Sequence, residues 1–124
     1  MTEKSDGETK VVSRKGDGRD SSIPVTIRAK LFITNGENSG TTFYLEKNRT
    51  TVGRSGKSDI QINDEQASRV HLEISFSHME FRIRDLNSSN GTYLNGSSVV
   101  EYALRNNDKI MIGETMLHFT IERI

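Results

Sequence analysis

The stretch TTVGRSGKSDIQI, residues 50–62, holds Gly56-Lys57-Ser58, a triplet that glycine-rich loops use to cradle nucleotide phosphate. The full pattern needs a glycine five residues before Gly56, but Thr51 stands there and Gly53 comes two residues late. A helix should follow, with its N-terminus facing the anion. Asp59-Ile60-Gln61-Ile62 follows instead, an alternation that reads as a strand. A nucleotide loop is excluded, whereas a site for a single phosphate is not. Ser68-Arg69-Val70-His71 places a hydroxyl and an imidazole three residues apart, which raises hydrolysis. In an extended segment those two side chains face opposite ways, and no Gly-x-Ser-x-Gly elbow is present. His71 reads better as a half-buried histidine that pins a loop through hydrogen bonds. His78 and His118 stand in strand-like contexts without partners at metal-ligand spacing, as ordinary surface or sandwich residues. The chain has no cysteine, so disulfides and thiolate metal sites are excluded. Neither a metal nor a cofactor is expected.

Taken singly, the remaining polar residues are unremarkable. Arg54 could be a solvated surface charge, and Asn90-Gly91 and Asn95-Gly96 each read as a turn, because Asn-Gly takes up positive φ readily. Their placement says more. Arg54 follows a strand, Ser68 and Arg69 precede one, and Ser88-Ser89-Asn90-Gly91-Thr92 forms a third loop. Three loops converging at one end of a sandwich would offer guanidinium, hydroxyl and amide donors without a catalytic base. That inventory suits a phosphate dianion that is held and not turned over.

The elements needed to position such loops are visible in the hydropathy pattern. Residues 1–24 are polar, with five basic and five acidic side chains and Val11-Val12 as the only apolar pair before Ile23. Such a segment cannot bury enough apolar surface to offset its ordering entropy and is expected to be a disordered tail. From Val25 to Ile124 the period is two. Strands are expected over residues 26–33, 42–45, 50–52, 71–76, 81–84, 109–112 and 116–121, with Asn35-Gly36 as a turn. Many short strands without a helical stripe indicate one all-β sandwich or barrel. Across the 124 residues, 17 basic and 17 acidic side chains cancel, which gives no net basic field for nucleic acid. No apolar run approaches the ~20 residues of a membrane span, and the N-terminus lacks a signal-peptide core. The expected setting is cytoplasmic, with neither nucleic acid nor membrane as partner.

At this point the sequence resembles a known family, the forkhead-associated (FHA) domain. The resemblance rests on "VGRSGKSDIQINDEQASRVHLEISF…FRIRDLNSSNGTYLNG": the Gly-Arg pair, the Ser-x-x-His loop, the Asp-Leu-x-Ser-x-Asn-Gly-Thr segment and the following Asn-Gly, in order and at matching spacing. It covers residues 25–124. It implies an eleven-stranded β-sandwich that binds phosphothreonine peptides through loops at one end, downstream of a Ser/Thr kinase. It further implies that Arg54, Ser68 and Ser89 contact phosphate, that Asn90 fixes the peptide backbone, and that Arg69 adds a basic side chain. Gly53, His71 and Gly91 then support the site without touching ligand. Ala67 departs from the larger aliphatic common in the family. The readings this displaces are a Ser68/His71 hydrolase and an FHA scaffold that works without phosphate.

Two further expectations follow from the resemblance. Thr9, with Val12 three residues later, is the best candidate phosphosite in the tail, because FHA domains often read that +3 position and accept aliphatic side chains there. Phosphorylated Thr9 could then dock on the domain's own site, within one chain or between two. The sequence also stops directly after a strand, at Glu122-Arg123-Ile124. That ending suggests a segment of a longer signalling protein with a C-terminal effector, such as a bacterial diguanylate cyclase.

Overall fold

The computed structural model describes residues 22–124, so the tail up to Asp20-Ser21 and the candidate phosphosite Thr9 lie outside the described residues. Alternation decides the architecture. In β1 (Ile27–Asn35), Ala29, Leu31 and Ile33 are buried while Arg28 and Phe32 are exposed. In β11 (Thr115–Arg123), Leu117 and Phe119 are buried, and Leu31 lies opposite Phe119 in the antiparallel register. A one-residue slip would turn every one of these side chains to the wrong face.

Eleven strands form among the described residues, with no helix. One sheet has the order β2-β1-β11-β10-β7-β8, built by β1, β11, β2 (Thr42–Tyr44), β10 (Lys109–Ile112), β7 (Thr92–Leu94) and β8 (Ser97–Val99). The other has the order β4-β3-β5-β6-β9, built by β3 (Arg49–Gly53), β4 (Ile60–Gln61), β5 (Leu72–Ser77), β6 (Glu80–Asp85) and β9 (Glu101–Leu104). All pairings are antiparallel except β3 with β4, which is parallel. The inner faces meet around Phe81, whose ring centroid lies 4.7 Å from Phe76 in its own sheet and 5.4 Å from Phe119 in the other. Such offset and edge contacts are the favoured aromatic geometries. The expected eleven-stranded β-sandwich is the observed fold.

Some local expectations need correcting. His78 does not lie in a strand: it and Met79 form the two-residue turn of the β5–β6 hairpin, at φ 52° and 61°. That turn has the mirror-image handedness that hairpins favour, but without the Asn or Gly that signals it. β7, β8 and β9 were not expected: all three are short, Thr92 was read as part of the preceding loop, and β8 and β9 are mostly exposed with little apolar alternation. Asn95-Gly96, at φ 51° and 89°, closes β7–β8 as the tight turn its sequence indicates.

The ends of the sandwich differ. Ile27 pairs with Arg123, and the Ile124 amide donates to the Thr26 carbonyl, so the first and last strand termini share one end. β1 finishes at the other end, where a β-carbon on Gly36 would crowd Thr115. There the Asp64 carboxylate accepts from the Glu114 amide and the Thr115 hydroxyl, at 2.9 and 2.8 Å. This ties the β10–β11 turn to the loop that leads to Ser68. Among the described residues there is no helix long and apolar enough to cross a membrane.

Candidate functional site

Three loops meet at the Asp64 end. The β3–β4 loop leaves at Gly53, where any β-carbon would collide with the Arg69 carbonyl. Only glycine lets the β3–β4 and β4–β5 loops come this close. Their seam is sewn by backbone bonds, Arg54 N–H to the Ser68 carbonyl and Ser55 N–H to the Arg69 carbonyl, both 3.0 Å. The Gly-Lys-Ser triplet belongs to this seam. Ser58 is buried and its hydroxyl donates to the Arg69 carbonyl at 2.8 Å, while the Lys57 amide donates to Ser55 Oγ at 3.0 Å. It braces a turn and leaves no cradle for a diphosphate.

The seam aims Arg54. Its Nε donates to the Ala67 carbonyl at 3.0 Å, which fixes the plane of the guanidinium. The terminal nitrogens make no hydrogen bond or ion pair with any described residue and face solvent. Arg69 is exposed on the neighbouring loop, and its side chain is likewise unpaired among the described residues.

His71 sits beneath. The expectation of a half-buried ring is corrected, since the residue is 0% exposed. Its Nδ1 accepts from the Ser68 amide at 2.9 Å, and Nε2 lies 2.8 Å from the Gly91 carbonyl. An acceptor at Nδ1 and a carbonyl at Nε2 require the neutral tautomer with its proton on Nε2. The expected separation of Ser68 and His71 is corrected in part as well. The segment bends and is not extended, so the two do touch, but through the Ser68 backbone. Both imidazole nitrogens are occupied, so His71 has no lone pair with which to deprotonate the Ser68 hydroxyl, and a Ser/His hydrolase has no base here.

The third loop, between β6 and β7, is organised by a residue that sequence reasoning passed over. Asp85 accepts from the Ser88 amide at 3.0 Å, from the Ser88 hydroxyl, and from Thr92 Oγ1 at 2.7 Å. Ser88 Oγ in turn accepts from the Gly91 amide at 2.9 Å. Burial pushes the Asp85 carboxyl up, but the bonds from Ser88 and Thr92 outweigh it and hold the group below the usual carboxylate range. The signal was present in the sequence: an Asp three residues before a Ser can accept from that residue's amide and organise a loop through local side-chain bonds.

This folded loop brings Ser89 and Asn90 to the seam. The Ser89 amide donates to Ser68 Oγ at 3.0 Å, and Asn90 Nδ2 donates to the Gln66 carbonyl at 2.8 Å. Both side chains are exposed. Asn90-Gly91 is not a tight hairpin, because only Gly91 has positive φ, at 88°. Arg54, Ser68, Arg69, Ser89 and Asn90 thus gather at one end of the molecule. Gly53, His71 and Gly91 hold the backbone beneath them.

The β-sandwich thus presents hydrogen-bond donors from three cross-linked loops at one end. The chain belongs to the FHA domain family, whose sequence profile matches residues 50–113. It is 38% identical over 91 residues to the glycogen accumulation regulator GarA of Mycobacterium tuberculosis, covering 73% of this chain and 56% of that protein. It is equally 38% identical to the oxoglutarate dehydrogenase inhibitor of Corynebacterium efficiens, covering 73% of this chain and 64% of that one. The chain therefore spans a little over half of the length of these curated relatives. Among solved structures, an FHA domain studied for phosphothreonine-dependent interactions superposes with a TM-score of 0.71 at 29% identity, over 78% of this chain and 99% of its own. Mycobacterium tuberculosis EmbR in complex with a low-affinity phosphopeptide superposes with a TM-score of 0.71 at 25% identity, over 89% of this chain and 27% of its own.

Proposed function

We propose that this chain is a non-enzymatic module that binds phosphothreonine peptides, with Arg54, Ser68 and Ser89 on the phosphate, Arg69 adding positive charge, and Asn90 on the peptide backbone. The observation that carries the reading is the unspent donor set on a braced platform. The Arg54 terminal nitrogens lack partners among the described residues, while Nε is fixed by the Ala67 carbonyl. Ser68 Oγ accepts from Ser89 and keeps its own proton to give. Charge-assisted hydrogen bonds to a dianion contribute about 1.5–3 kcal/mol each. Arg54→Ala should therefore weaken a phosphothreonine peptide at least roughly tenfold in calorimetric titration, with the melting temperature nearly unchanged. Unaltered affinity removes Arg54 from the site, and equal binding of the unphosphorylated peptide supports the phosphate-independent scaffold instead.

The regulatory part of the proposal concerns the tail. Phosphorylated by a Ser/Thr kinase at Thr9, it would occupy the same site and compete with outside partners. The tail enters at the far end of the sandwich, because β1 starts there. Nine strand residues measure about 30 Å. The 17 residues between Thr9 and Ile27 have a root-mean-square span of roughly 23 Å and a fully extended reach of about 55 Å. Docking within one chain thus demands a stretched tail, and docking between two chains does not. NMR on Thr9-phosphorylated protein checks this: the Arg54, Ser68 and Asn90 amides should shift. Shifts confined to the tail refute self-recognition.

A further inference from the structure

We propose that the outer face of the six-stranded sheet is a second, phosphate-independent docking surface, and that its occupant is an acidic partner segment carrying an apolar anchor side chain. The two outer faces of the sandwich are built on different principles. On the five-stranded sheet, Arg49 and Arg84 both reach Glu73, at 2.7 and 3.5 Å, and Arg82 reaches Glu101 and Glu80, at 3.1 and 3.4 Å. Its charges satisfy one another. On the six-stranded sheet, the register instead sets Tyr93 beside Met111, Met111 beside Met116, and Phe32 beside His118. Tyr93 and Phe32 are 41% and 37% exposed. A contiguous apolar patch rimmed by polar groups is the mark of an interaction surface.

Charge and shape choose the occupant. Lys30 and Lys109 stand on this face, and their ammonium groups make no ion pair with any described residue. Arg28 lies over the Tyr44 ring at 5.9 Å, and Glu122, opposite Arg28 in the register, is the only acid in these rows. A second copy brought face to face would set these cations against their own kind, so self-pairing is opposed and an acidic partner favoured. Between Tyr93, Asn95, Lys109, Met111 and Met116 lies a depression of about 570 Å³. It can receive an inserted side chain, and methionine lining adapts to varied shapes. Beside the depression, His118 Nε2 is buried and has no hydrogen-bond partner among the described residues.

The face is continuous with the loop end. A β-carbon at Gly91 would touch the Tyr93 ring at 3.6 Å, so the patch begins directly behind the Asn90-Gly91 loop. A partner could engage both surfaces at once, although the proposal stands without the phosphothreonine reading.

The test is a titration of the isotopically labelled full chain with an array of unphosphorylated 15-residue peptides, each with four Asp or Glu around one Leu or Phe. Charge-reversed lysine peptides serve as controls. Acidic peptides should shift the Phe32, Met111, Met116 and His118 amides and leave Arg54 and Ser68 unmoved. Lys109→Glu and Met111→Asp should each weaken that binding roughly tenfold, with the melting temperature and the affinity for a phosphothreonine peptide retained. Shifts from no acidic peptide, equal shifts from the basic controls, or shifts centred on Arg54 and Ser68 overturn the proposal. So does association of the chain with itself through this face, or adsorption to phosphatidylglycerol vesicles while the acidic peptides stay inert. Loss of phosphopeptide binding in Arg54→Ala leaves this surface intact, so the two readings fail separately.

Discussion

His71→Ala separates a residue that builds the site from one that touches the ligand. The ring is fully buried and makes two hydrogen bonds, to the Ser68 amide at 2.9 Å and the Gly91 carbonyl at 2.8 Å. Removing it strands a donor on one loop and an acceptor on another, each costing about 1–3 kcal/mol if no water enters. A further penalty comes from the cavity that the imidazole leaves. The losses overlap, so about 3–5 kcal/mol is the expected total, a large share of the 5–15 kcal/mol typical of a domain. The His71 backbone bond to the Val52 carbonyl survives, so the fold should remain. Urea denaturation should show the loss directly, and thermal melting should fall by at least roughly 12 °C. Phosphopeptide affinity, measured well below the new melting point, should fall by less than in Arg54→Ala, because His71 acts only through the Ser68 and Gly91 backbone. Normal stability with binding abolished would refute this and place the imidazole on the ligand.

His78 and Met79 hold left-handed backbone at φ 52° and 61° without the residues that tolerate it. The double change His78→Asn, Met79→Gly should stabilise the β5–β6 hairpin by about 1 kcal/mol and raise the melting temperature by roughly 4–8 °C; an unchanged or lower value refutes the turn assignment. Asp64 and Asp85 differ between folded and unfolded states in their hold on protons. Burial raises both carboxyls, but it is outweighed by bonds from Thr115, Gln66 and Glu114 to Asp64, and from Ser88 and Thr92 to Asp85, so both end below 3.8. The unfolded chain therefore binds more protons in the acid range, and this stability is present above about pH 4 and lost as pH falls through the folded values. Denaturation midpoints measured from about pH 5 to pH 2 should fall less steeply in Asp85→Asn than in the parent; identical slopes would refute the role of that carboxylate.

What could be read in advance depended on whether a residue's role was written in periodicity or in contact. Leu31, Ile33, Ile74, Phe76 and Phe119 announce themselves by alternation and are the observed core. β8 and β9 carry no such pattern, because edge strands near solvent gain their place from pairing and not from burial. Arg54, Ser68 and Asn90 could be grouped only as an ordered set of motifs. Nothing in their separate types says that Ala67 aims the guanidinium or that Gln66 anchors the amide. The deeper organisation was hidden for the same reason. His71 bonds to the backbone of Ser68 and of Gly91 in another loop, and Asp85 and Ser88 fold their own loop through bonds with Gly91 and Thr92, which residue types taken singly do not disclose. The Gly-Lys-Ser triplet shows the converse. Its residue types suggest phosphate, yet Ser58 turns inward and spends its hydroxyl on the carbonyl of Arg69, the neighbour of Ser68. The triplet that looks like a phosphate cradle is an internal brace.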